Sequence, residues 1–210
     1  MPLPTFEAAP TKSRPVTVTR TQAAERLGLH PAGVDMLVHA GIFRRPMLAA
    51  DVARLAARPH LRVAGGELTV LRTSARALGY LGEDRAYTGF HAEHTDVQLE
   101  ETSLRWWKSD PGRVLDNELF VVTVATFPVA VYRIAGHVAS KVRAGEIEAH
   151  HHYAGQLLAR VYADLTPVFA QAAPGHLHRL ARQVMASRVV VSGGGRIGYL
   201  EASPPAPDRA

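Results

Sequence analysis

Gly28, Pro31 and Gly41 constrain this chain more than any other residues, because they divide one amphipathic stretch into two short helices. Thr21 is placed to cap a helix over 22–27 that sets Ala23, Ala24 and Leu27 on one face. Gly28 supplies a left-handed stop. Pro31 then suits the first turn of a second helix, with Val34, Leu37 and Val38 inward and Gly41 at its end. A third helix fits 48–57, where Leu48, Val52 and Leu55 form the apolar stripe. Isolated helices shorter than about 12 residues are marginal in water, so these three are expected to pack on one another.

Pro59 and the Gly65-Gly66 pair mark a seam near 58–66. Beyond it the periodicity changes. A strand is expected at 66–72, and a helix capped by Asp96 running through Trp107 to a stop at Ser109-Asp110-Pro111-Gly112. The β-branched and aromatic runs 119–127 and 129–134 read as buried strands. Residues 144–164 fit a helix through Ile147, Leu158, Val161 and Leu165, or a strand over 146–153. A helix follows at 177–186, and 188–191 with 196–200 flank Gly193-Gly194-Gly195 as a closing hairpin. The expected division is a flexible basic arm (1–16, with Lys12 and Arg14), a helical domain (17–60), an α+β domain (63–202) and a disordered tail (203–210).

Residues 1–62 hold nine Lys/Arg against four Asp/Glu, whereas 63–210 hold fifteen of each, so all of the net +5 lies in the first third. A basic unit joined to a neutral one suits contact with a phosphate backbone. There is no cysteine, which excludes disulfides and thiolate metal sites and makes a reducing cytoplasm the expected location. No apolar run approaches the roughly 18–20 residues that cross a bilayer, and no apolar h-region opens the chain, so neither a membrane partner nor a secretory signal is expected.

The segment from Thr19 to Phe43 carries an Ala-Ala pair, Leu27-Gly28-Leu29 through a turn, and a second helix ending in Gly41-Ile42. It resembles the excisionase and MerR-type helix-turn-helix, and Met47–Leu55 resembles the helix that follows the wing in those families. The resemblance covers about a quarter of the chain. It implies a small all-α helix-turn-helix module, here followed by the mixed α+β domain that the later helices and strands suggest, and double-stranded DNA as partner. It further implies a transcriptional regulator or excisionase-like accessory factor of phage or mobile-element type. The second helix would enter the major groove with His30, Ala32, Gly33, Asp35, Met36 and His39 outward. Arg14, Arg20, Thr21, Arg44 and Arg45 would meet the backbone. This helix lacks the Arg, Lys, Asn and Gln that make the commonest bidentate base contacts, and the wing is reduced to little more than Arg44-Arg45-Pro46.

The second block offers less. His91 and His94, near Glu93 and Asp96, are weak candidates for a metal, His150-His151-His152 can direct at most two imidazoles at one ion, and His176 and His178 form a third cluster. There is no His-Glu-x-x-His motif, no P-loop and no nucleophile elbow, so no catalytic residue and no cofactor is assigned. Arg105-Trp106-Trp107-Lys108 suits stacking on exposed bases or docking of a partner, or one indole in the core with Leu99 or Leu104. The block is expected to serve dimerisation, a protein partner or a ligand. Two alternatives stay open: a metal-dependent nuclease or other enzyme with its site in 63–202, and a protein-interaction adaptor.

Overall fold

The structure, a computed structural model, describes residues 14–171 and 174–202, so most of the expected arm and the whole expected tail lie outside the described residues. The chain runs β1 (Thr17–Val18), α1 (Arg20–Leu27), α2 (Pro31–His39), β2 (Met47–Leu48), α3 (Ala49–Ala56), β3 (Glu67–Thr73), β4 (Ala77–Leu78) and β5 (Tyr87–Thr88). It continues through α4 (Asp96–Leu104), α5 (Pro111–Asp116), β6 (Leu119–Val124), β7 (Phe127–Val142), β8 (Ala149–Val161), β9 (Pro167–Phe169), α6 (Gly175–Met185) and β10 (Ile197–Glu201). This is a mixed α+β architecture. No helix among the described residues is long and apolar enough to cross a membrane.

The first three helices pack through small and branched side chains. Ala23, Leu27, Val34, Leu37 and Val52 are fully buried, and the alanines remove the bulk that would hold α1 away from its neighbours. Two expectations shift here. The cap of α1 is Thr19, not Thr21: Thr19 Oγ1 accepts from Gln22 N (3.3 Å) and Gln22 Oε1 accepts from Thr19 N (2.9 Å), a reciprocal box that Thr21, with Ala24 three residues on, cannot make. The third helix starts at Ala49 because Met47 and Leu48 pair with Val18 and Thr17 in a two-stranded ladder, leaving Leu48 exposed.

The remaining strands form one six-stranded sheet in the order β10-β3-β6-β7-β8-β9, antiparallel except for the parallel β3–β6 pair, with β4–β5 a separate ladder. Every residue of β6 is buried. α6 packs on β7 and β8, α4 on β8, and α5 on β7. Residues 144–164, ambiguous in sequence, are mainly strand, since 149–161 pairs with β7 along its length. The closing hairpin does not form: β10 pairs with β3, while Arg188 bridges to His60 and Val189 N donates to Thr126 O (2.8 Å). α4 is capped by Thr95 in a second reciprocal box with Gln98, not by Asp96, and it ends at Leu104, before the tryptophans.

β7 and β8 outrun the sheet. β6 covers β7 only as far as Arg133, so 134–142 pair with 149–155 alone as a projecting two-stranded arm. At about 3.3 Å per residue its length is roughly 30 Å. The apolar core is continuous across the expected seam at 58–66, from Val18 to Val189. The connecting stretch is stitched down by Arg188 N to Pro59 O (2.7 Å) and Leu61 N to Arg188 O (2.8 Å).

Candidate nucleic-acid interface

α1 and α2 are joined by Gly28 at φ +60°, where its N–H reaches Glu25 O (3.1 Å) and Leu29 N reaches Ala24 O (2.9 Å). Space is not the reason for glycine here, since an added Cβ would meet nothing within 4 Å. The left-handed backbone is the reason. His30 caps α2 with Nδ1 accepting from Ala32 N (3.3 Å).

The outward set divides into two faces. His30, Ala32 and His39 are exposed. Asp35 lies beside them and holds Arg20 at 2.8 Å and Arg45 at 3.5 Å. Gly33 and Met36 are partly buried rather than fully exposed. A Cβ at Gly33 would stand 3.7 Å from the Ala125 Cβ in the β6–β7 turn, and Met36 is half-buried against the core. Further along the helix, Ala92 N donates to Ala40 O (2.8 Å), and a Cβ at Gly41 would meet the His91 ring at 3.2 Å. The second block therefore grips one side of α2. The geometry leaves a narrow solvent-facing strip of Ala32, Asp35 and His39.

Arg14, Thr21 and Arg44 are exposed. Arg20 and Arg45, also exposed, reach Asp35 from α1 and from the loop after α2, so cations flank the strip on both sides. The three bound a shallow cavity of about 400 Å³ with Val18, Val34 and Val38. Exposed ion pairs of this kind contribute about 0–1 kcal/mol, so little holds either guanidinium to Asp35 if a phosphate is offered.

His91 and His94 do not converge on an ion. Their ring centroids are 6.3 Å apart, His91 Nδ1 accepts from Glu93 N (3.3 Å), and His94 is 1% exposed. Burial first, then the positive groups Arg76, His91 and Arg160, push the His94 imidazole down to about 4. Among the described residues no three His, Asp or Glu side chains gather as a metal site.

Both indoles are buried at 8% exposure, so neither face is offered to a base. Lys141 Nζ sits 4.0 Å over Trp106, whose Nε1 donates to Asp84 Oδ1 (2.7 Å). The Arg85 guanidinium lies 5.1 Å over Trp107, whose Nε1 donates to Ser103 O (2.8 Å). Beside them a cavity of about 810 Å³ is lined by Tyr80, Trp106, Trp107, Lys108, Arg143 and Glu146, among others. Glu146 takes Lys108 at 2.7 Å and His150 at 2.9 Å, and these bonds hold its carboxyl down at about 2. Behind the wall, buried Glu83 takes Arg85 at 2.7 Å and Arg143 at 2.7 Å. Sequence reasoning missed this pair of ion contacts, because Glu83 and Arg143 lie in different elements with no motif joining them.

No protein-family model, curated protein or solved structure shows significant similarity to the chain.

Proposed function

We propose that the protein binds double-stranded DNA through its first three helices, as a regulator or accessory factor working in the cytoplasm. The observation that carries this reading is the flanking of the exposed α2 strip by Arg20 and Arg45, both within 3.5 Å of Asp35. The β1–α1–α2–β2–α3 order, with the left-handed Gly28 between α1 and α2 and the β1–β2 ladder beside α3, supports it as a helix-turn-helix module. Arg14, Arg20, Arg44 and Arg45 would neutralise phosphates. Base reading falls to His30, Ala32, Asp35 and His39, and a carboxylate at Asp35 favours a cytosine amino group over other base edges. With so few donors on the strip, affinity comes mainly from the backbone and sequence preference is weak.

A protein-docking role for the same strip is favoured by one observation, the approach of the second block to Gly33, where an added Cβ would stand 3.7 Å from the Ala125 Cβ. Fluorescence polarisation on random duplex DNA across a salt series separates the two. Phosphate contacts give a log–log slope of about −0.9 per contact. Arg44→Ala/Arg45→Ala should weaken binding and flatten that slope by about 2. No binding at low salt by the full chain rejects the DNA reading.

A further inference from the structure

The projecting β7–β8 arm brings together three side chains that no motif in the sequence connects. His137 and Ser140 on β7 meet His151 on β8, where Ser140 and His151 are direct cross-strand partners and His137 stands beyond a register shift. His137 Nε2 lies 3.2 Å from His151 Nδ1, and Ser140 Oγ lies 3.1 Å from the first and 2.9 Å from the second.

Three mutual contacts of this length need three hydrogens if each is a separate two-centre hydrogen bond. The group supplies at most two. The hydroxyl has one hydrogen, and a ring nitrogen that donates has no in-plane lone pair left to accept. Two facing N–H groups would repel. A cation that takes lone pairs meets no such shortage. Two nitrogens bound tetrahedrally to zinc at 2.0–2.1 Å stand about 3.3 Å apart, so the observed 3.2 Å already matches the spacing an ion would impose.

The rings are held where they are. Tyr153, fully buried, packs its ring 5.8 Å from His137 and 6.4 Å from His151, and its hydroxyl is tied to Ser109 Oγ at 2.7 Å. The His151 backbone is pinned on its other side too, donating to Trp107 O (2.9 Å) and accepting from Trp107 N (3.0 Å). Such rigid support is what a binding constellation needs. His137 and Ser140 are exposed, which leaves solvent access to an ion, and a cavity of about 420 Å³ lined by Lys108, Ser109, Glu148, Ala149 and His151 adjoins the His151 side.

We propose that His137 and His151 form an open two-imidazole site for a borderline divalent cation of the zinc or copper(II) class, with the Ser140 hydroxyl and water completing the shell. The site is independent of the DNA-binding reading. Imidazole nitrogen suits zinc and copper, whereas magnesium and calcium prefer oxygen donors and would not compete.

The test is zinc titration of the full chain against a chromophoric chelator in a non-coordinating buffer, with copper(II) paramagnetic resonance on the same protein. The expected result is one equivalent of zinc bound in the micromolar range, with nitrogen hyperfine structure from two imidazoles. His137→Ala and His151→Ala should each weaken binding at least tenfold. His176→Ala, an exposed histidine elsewhere, should leave it unchanged. His137 is exposed on the arm, so its variant folds even if His151→Ala does not. No stoichiometric zinc at 100 µM, or affinity that survives His137→Ala, overturns the proposal and leaves a hydrogen-bonded chain of His137, Ser140 and His151.

Discussion

His94 makes the stability of this protein depend on pH in a direction that can be calculated. Its imidazole is closed off from solvent, both ring nitrogens lack a partner among the described residues, and Tyr87 stacks on it at 5.9 Å. Its pKa falls from the unfolded value of 6.5 to about 4 in the fold. The unfolded chain therefore takes up a proton before the folded one does. The stabilising effect is fully present above about pH 7 and is lost as the pH falls from 6.5 towards 4. Linkage gives a loss of about 2 kcal/mol between pH 7 and pH 5, approaching roughly 3 kcal/mol below pH 4. Urea unfolding of the wild type and His94→Met at pH 7 and pH 5 isolates this share. The variant's own packing cost appears at both pH values and cancels. Burial also lowers His91, His151 and His152, and their background is common to both proteins. His94→Met should thus lose about 2 kcal/mol less than the wild type on acidification. Equal losses in the two proteins would refute the reasoning.

Thr126 is a β-branched residue at φ +78° in the β6–β7 turn, with its hydroxyl buried and without a partner among the described residues. Thr126→Gly relieves about 1–2 kcal/mol of left-handed strain against about 0.5–1 kcal/mol of added chain entropy, so the midpoint of thermal unfolding should rise by a few degrees; a fall in calorimetry contradicts this. Glu83→Ala leaves the buried Arg85 and the largely buried Arg143 without their shared carboxylate and should cost about 3–5 kcal/mol. Lys108→Ala at the exposed cavity rim should cost far less, because solvent screens its ion pairs. Denaturant titration compares the two directly, and tryptophan emission reports the Glu83 change because Arg85 lies over Trp107. Asp35→Asn releases Arg20 and Arg45, so on the DNA-binding reading duplex affinity rises and its salt dependence steepens; unchanged polarisation curves count against that reading.

The helices at the start of the chain were legible because their determinants are local. Gly28 can hold a positive φ, Pro31 fits a first turn, and Ala23, Leu27, Val34 and Leu37 repeat at helical spacing. The caps fall at Thr19 and Thr95 and not at the expected Thr21 and Asp96, although Thr19 with Gln22 and Thr95 with Gln98 carry the reciprocal-box spacing in the sequence itself. The apolar run of β6 likewise announces a strand buried on both faces. Residues 149–155 did not announce themselves, because their partners are distant in the chain: β7 runs along them, Trp107 bridges to His151, and Tyr153 is buried only once these segments meet.

What the sequence determined by itself was therefore backbone conformation, wherever glycine, proline, capping side chains or an unbroken β-branched run restrict φ and ψ on their own. The tertiary structure alone decided which side of α2 meets solvent, why Glu83 and Arg85 can be buried, and that His137 reaches His151. Each depends on residues far apart in the chain, whose approach is set by sheet register and packing and leaves no trace in local periodicity.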